Sequence, residues 1–344
     1  MMTKEKIEFA KLYVKCKASA VASIDICYHP DCESKSINSH ILQKNGILST
    51  MTNDSHLWEH TIDQFKEEIF TFKKRGLNNV FSFNCYCNEH DTNLFKKIES
   101  TDIDFNDYES CLLFTLRTIY NEIFRKEVNL KQYQCYLKEK PDKFDNYAFK
   151  QHMRQEALGL GDLKLIETDI WNDFITKKES FVFEHRLMAE IGICMSSFYT
   201  YDTTEELNKI ISNTGKDAER TSEIFINLFP YKKSAVLMMA YNKRDEKKLK
   251  GYFYSFFKEK EKFVQRKITN LVLFNCETWV ASDKFYKNNI KDVENDFGIA
   301  TKFSLKNTNE RQTFDINFYE KDFKIKLAKW SKKAEKQLQT QIEF

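Results

Sequence analysis

CYHPDCESKSINSHILQKN, residues 27–45, places two cysteines on either side of a short turn and, eight residues after the second, a histidine in Ser-His-Ile-Leu. Pro30 and Asp31 favour a tight turn, which would bring the thiols of Cys27 and Cys32 together. A structural zinc site takes four nitrogen or sulfur ligands, usually as two local pairs, so this stretch is half of one. The other half must come from elsewhere. FNCYCNEHDTNLFKKIE, residues 83–99, supplies it: Cys87 and His90 stand three apart at an expected helix start, where positions i and i+3 share a face. Cys85 competes with Cys87, and His29 competes within the first pair. The competing reading of either pair alone is buried thiols and surface histidines. Residues 33–86 separate the pairs, so the two halves must be joined through an insertion.

The distribution of ligand-type residues supports one N-terminal module. Of nine cysteines, Cys16, Cys27, Cys32, Cys85 and Cys87 precede residue 90, and His29, His40, His56, His60 and His90 are five of the seven histidines. Cys111, Cys135, Cys194 and Cys276 are scattered singly and read as small buried hydrophobes. No hydrophobic run is long enough for a transmembrane helix, and the lysine-interrupted N-terminus lacks the apolar core of a signal peptide. A cytoplasmic, reducing location without a disulfide framework is therefore expected.

A chain of 344 residues can hold two or three domains. With 42% hydrophobic and 31% charged residues it should fold as a globular protein rather than stay disordered. The net charge of +3 excludes a globally basic surface, while 54 Lys and Arg leave room for local patches. Only 8 Gly and 3 Pro imply short loops, and 30 Phe read chiefly as core filling.

Along the chain, residues 4–19 have helical spacing. NVFSFNC reads as a strand and CNEHDTNLFKKIES as a helix opening near Cys87. From about 107 to 178 the apolar residues recur every three or four positions, with a break expected at Gly159-Leu160-Gly161. Beyond 178 the texture alternates, and SEIFINLFPYKKSAVLMMAYN reads as a hairpin turning at Pro-Tyr-Lys-Lys. The expected class is α+β: an N-terminal zinc module (1–105), a helical region (106–178), and a C-terminal antiparallel sheet with helices (179–344).

A ligand-bearing turn, a β-hairpin and a helix opening on the second ligand pair form the order of a treble-clef zinc module. Residues 20–100 resemble the HNH, or His-Me finger, nuclease branch of that class. NSHILQKN resembles the hairpin carrying the catalytic histidine, and CNEHD the closing helix. The resemblance implies that His40 is a general base, that Asp91 holds a catalytic Mg²⁺ or Mn²⁺ with help from Asn88 or Asn93, and that Cys27, Cys32, Cys87 and His90 hold a structural Zn²⁺. It implies nucleic acid as the partner, with Lys35 and Lys44 near flanking phosphates, and phosphodiester hydrolysis as the reaction. Two features depart from the pattern: Ser39 precedes His40 where many members carry an Asp, and no central Asn stands out among Asn45, Asn78 and Asn79.

The expected function is thus a metal-dependent nuclease acting on DNA or RNA, with bacterial anti-phage defence suggested by analogy with extended modules of this kind. The alternative is a non-catalytic zinc module that binds nucleic acid or a protein partner. An enzyme housed in residues 107–344 has no supporting motif. No Gly-rich phosphate loop, Gly-x-Ser-x-Gly or His-Glu-x-x-His occurs there, and Glu184-His185-Arg186 reads as a solvated strand face.

Overall fold

The structure, a computed structural model, describes residues 3–212, 220–306 and 313–340. The chain divides into two compact units. One comprises residues 1–43, 64–67 and 81–180; the other comprises 44–63, 68–80 and 181–344. The helical stretch 106–178 thus belongs to the same unit as the cysteine-rich segment, and most of the stretch between the two ligand pairs belongs to the other.

In the first unit, α1 (Lys4–Ala22) starts at Thr3, whose hydroxyl accepts from the Lys6 amide. The strands β1 (Asn38–His40) and β4 (Ser82–Asn84) pair antiparallel, with His40 opposite Ser82. The chain between them forms the hairpin of β2 (His56–Ile62) and β3 (Phe70–Gly76), which joins the sheet of the second unit. After α2 (Asn88–Phe95) come α3 (Tyr108–Glu139), α4 (Pro141–Phe144) and α5 (Tyr147–Thr176). Asp107 and Asn146 cap α3 and α5 by accepting from Ser110 and Phe149 amides. Every residue of α3 from 110 to 124 is buried. A helix that is enclosed all round can carry polar residues only where partners meet them, which becomes important at Arg117.

Two expectations fail in this unit. The chain does not break at Gly159-Leu160-Gly161; α5 runs through it. Two helical glycines cost roughly 2 kcal/mol against alanine, and burial of Leu163, Ile166 and Ile170 on α5 offsets that cost. Nor is Cys135 a lone hydrophobe: it is disulfide-bonded to Cys16, joining α3 to α1 across 119 residues of sequence. Spacing in sequence carries no sign of such a pair, because the helix packing alone brings the two Cα atoms to 5.6 Å.

The second unit contains β5 (Phe181–Met188), β6 (Ile193–Thr200), α6 (Thr204–Ser212), β7 (Glu223–Tyr231), β8 (Ser234–Asn242), α7 (Glu246–Lys258), α8 (Glu261–Phe274), β9 (Trp279–Ala281), α9 (Asp283–Phe285), α10 (Glu294–Lys306) and α11 (Phe323–Thr340). Among the described residues its sheet has seven strands in the order β3-β2-β9-β6-β7-β8-β5. Every pairing is antiparallel. The β7–β8 hairpin forms as expected, but its turn is Lys232-Lys233, with Lys232 at φ 56°; Pro230 and Tyr231 still pair with Ala235 and Ser234. Leu249, Phe253 and Phe256 of α7, Val264 and Ile268 of α8, and Phe297 of α10 share one core with inward residues of the sheet. The α+β class expected for the chain holds, with antiparallel sheets throughout. On edge strand β5, Arg186 is more than a solvated charge: its Nη1 donates to the carbonyls of Phe256 and Glu259 at 3.0 and 3.1 Å, where α7 ends.

Candidate metal centre

The first ligand pair sits on a small knuckle. An isolated antiparallel bridge joins Ile26 to Lys35. The Cys27 amide donates to the Ser34 carbonyl, and the Cys32 amide to that of His29. Asp31 takes φ 60°, a conformation Asp tolerates better than most side chains. The turn signal at Pro30-Asp31 is therefore realised, and it folds the two thiols toward each other.

Backbone bonds deliver the second pair to the same place. Tyr28 donates to the Cys85 carbonyl at 2.8 Å and Ile37 to that of Tyr86 at 2.7 Å, extending the β1–β4 pairing to the edge of the knuckle. The chain then turns into α2 with Cys87 at the N-cap; its side chain makes no capping bond. His90 follows one turn later. The ligand atoms of Cys27, Cys32, Cys87 and His90 all lie within 4.8 Å of one another. His90 Nδ1 is 3.4 Å from Cys27 Sγ and 3.3 Å from Cys87 Sγ. Tetrahedral zinc with ordinary Zn–S and Zn–N lengths sets sulfur and nitrogen about 3.6 Å apart. Among the described residues, no other group of His, Cys, Asp and Glu gathers this closely. The Cys₃His cluster is compatible with a zinc module and can hold a metal such as zinc.

Electrostatics prepare the cluster unevenly. Burial pushes the Cys27 thiol up to about 11. Hydrogen bonding from the Ser34 backbone lowers Cys32, whose side chain is partly exposed. Burial lowers His90, with neighbouring His29 acting in the same direction, which favours the neutral imidazole that ligates metals. A dication would offset the cost of ionising the buried thiol.

Of the two competitors, Cys85 is excluded from the cluster. It is buried, and burial raises its thiol well above the ordinary range. His29 is placed against the cluster rather than in it. Its ring stacks on His90 at 3.8 Å and 3°, and meets the edge of Trp171 at 5.0 Å. Trp171 donates to the Tyr120 hydroxyl, which donates to the Tyr28 carbonyl. The helices α3 and α5 thus brace both the knuckle and the imidazole ligand.

Asp91 points toward β1. Burial raises its carboxyl, while Arg117, a hydrogen bond from Ser39 and the nearby His40 each pull it down. Ser39, buried in β1, also accepts from the Tyr86 amide. Arg117 Nη2 lies 2.6 Å from Glu99 Oε1 and 3.9 Å from Asp91 Oδ1, and its guanidinium covers the Phe95 ring. Asp91 Oδ1 and Arg117 Nε are buried without a hydrogen-bond partner. Sequence reasoning missed Arg117 and read Ser39 only as a departure from the pattern. The available signal was a lone arginine inside the apolar run CLLFTLRTIYNEIF. His40, the next residue of β1, is half-buried and close enough for its charge to act on Asp91.

The remaining expected residues are dispersed. Lys35 is exposed on the knuckle, and Asn88 and Asn93 are exposed on α2. Lys44, Asn45, Asn78 and Asn79 fall in the second unit, where Lys44 donates to Asn78 Oδ1 at 3.1 Å. No family model, no curated protein and no solved structure matches this chain.

Proposed function

We propose that the Cys₃His cluster is the zinc scaffold of an HNH-like, treble-clef module, and that the module hydrolyses phosphodiester bonds of DNA or RNA. The observation that supports it is that Ser39 bonds the Asp91 carboxyl beside the cluster, with His40 close enough to act on its charge. The zinc ligands fix the start of α2; α2 presents Asp91; β1, paired to β4, presents Ser39 and His40. His40, as neutral imidazole, accepts a proton from the attacking water, and Asp91 supplies a carboxylate ligand. A bound Mg²⁺ or Mn²⁺ would stabilise charge on the phosphate and the leaving oxygen. Lys35, exposed on the knuckle, is suited to contacting a flanking phosphate.

A second reading has its own observation. Arg117 already sets a positive charge 3.9 Å from Asp91 Oδ1. A carboxylate so compensated suits a scaffold that binds nucleic acid or a protein partner without cutting. Cleavage assays on DNA and RNA with Mg²⁺ or Mn²⁺ separate the two. Under the nuclease reading, His40→Ala and Asp91→Ala each abolish metal-dependent cutting and keep zinc and fold, whereas Cys32→Ala loses zinc as well. A parent protein that binds nucleic acid but cuts neither polymer, or a His40→Ala variant as active as the parent, leaves the scaffold reading in its place.

A further inference from the structure

The second unit holds a cavity of its own. It measures about 480 Å³, a volume typical of small-molecule sites, and opens between the end of β6, α7, α8, α10 and α11. One wall is phenolic: Tyr199, Tyr201 and Tyr252. The Tyr199 and Tyr252 hydroxyls are 3.1 Å apart, and each oxygen retains capacity for another bond. The other wall is purely hydrocarbon and indole: Phe274, Phe303, Phe314 and Trp330, packed with centroid separations of 4.8 to 6.4 Å. These rings come from three helices and the segment at Phe314, so the wall is a product of the fold.

Among the described residues, Lys267 and Lys333 line the cavity and no carboxylate does. Lys267 is held in place by Glu259 at 2.9 Å and by the Ser255 hydroxyl. Lys333 stands exposed on α11, one turn from Trp330. Asn270 also lines the space, but its amide is spent on the carbonyls of Arg266, Phe314 and Ile316 and on the Phe314 amide. It therefore anchors the segment carrying Phe314 to α8 and shapes the wall.

We infer that this cavity binds a planar aromatic small molecule bearing an anionic group. The ring lies against the Phe274–Trp330 wall, where flat π-faces pack with little entropy cost. Its polar edge meets the tyrosine hydroxyls, and the anion is drawn to Lys333 and Lys267 by charge-assisted hydrogen bonds. A phosphate on a nucleoside and a carboxylate on an aromatic acid satisfy this chemistry equally.

Calorimetric titration of the full chain tests it, using adenosine 5′-monophosphate and indole-3-acetate, with adenosine, indole-3-acetamide and inorganic phosphate as partial probes. The expected result is a Kd of about 100 µM or tighter for at least one of the two anions, with the matching neutral ring and phosphate alone at least about tenfold weaker. The better anion identifies the headgroup. Lys333→Glu, an exposed change that leaves the core untouched, weakens that anion by about tenfold or more. Trp330→Leu weakens it as well; if that variant melts early, Lys333→Glu decides alone. The inference is overturned if neither anion binds at about 1 mM. Equal binding of the neutral ring, equal binding of phosphate alone, or a Lys333→Glu variant that binds like the parent also overturns it.

Discussion

Cys32→Ala tests the metal centre most cleanly. Cys32 is the partly exposed cysteine of the cluster, while Cys27 and Cys87 are buried, so its truncation opens no cavity in the core. A structural zinc contributes about 10–16 kcal/mol to folding, and one donor of four carries roughly 3 kcal/mol of that, some of it recovered by water in the fourth position. Zinc affinity should fall by about a hundredfold, and a module that loses its zinc should unfold or aggregate, because the metal is what joins the knuckle to the start of α2 at four side chains. The assay is zinc stoichiometry against a graded chelator, followed by thermal melting. Cys85→Ala is the control: its thiol lies outside the cluster, so zinc stays while stability drops by about 1 kcal/mol for the lost core volume. Proton competition adds a second readout. With its thiol pushed up to about 11, Cys27 is protonated between about pH 5 and 8 without metal and must release that proton to bind. Zinc affinity should therefore fall by about tenfold for each unit of pH lowered, from this thiol alone. Zinc held equally by the parent and Cys32→Ala, or lost equally by Cys85→Ala, refutes the assignment.

Three further changes probe the fold around the site. Cys135→Ser opens the loop closed by the Cys16 disulfide, spanning 119 residues, and should lower stability by about 5 kcal/mol in denaturant titration; a parent equally stable with and without mild reductant contradicts that bond. Arg117→Met leaves Asp91 and Glu99 without their shared cation and should cost about 3 kcal/mol; a melt within about 0.5 kcal/mol of the parent would show the pair to be dispensable. His60, packed among Phe70, Phe72 and Trp279, is pushed down to about 4 by burial. Its neutral form stabilises the fold above the ordinary histidine value, and that contribution is lost as pH falls from about 6.5 through 4, by up to ~3 kcal/mol. His60→Leu should flatten this part of the stability–pH curve, and an unchanged acid limb would locate the sensitivity elsewhere.

Local rules were enough to find the four clustered side chains. Pro30-Asp31 dictates a tight turn, and the three-residue spacing of Cys87 and His90 at a helix start puts both on one side; both are short-range consequences of backbone geometry. The β7–β8 hairpin was legible for the same reason, since alternation and turn residues act within a few positions. What sequence left open were choices made by packing. Cys85 and Cys87 are equivalent as letters, and only the fold turns Cys87 to the cluster while both are buried. Arg117 becomes Asp91's neighbour, and Cys135 becomes Cys16's partner, because helices distant in sequence lie side by side. The hairpin of β2 and β3 is spliced between β1 and β4 yet completes the sheet of the second unit, since unpaired strand edges are satisfied wherever the fold brings partners. The aromatic cavity, assembled from six separate stretches of chain, has no signature in any one of them. Geometry within a turn is set by neighbours along the chain, whereas the environment of a side chain is set by whatever the finished fold packs against it.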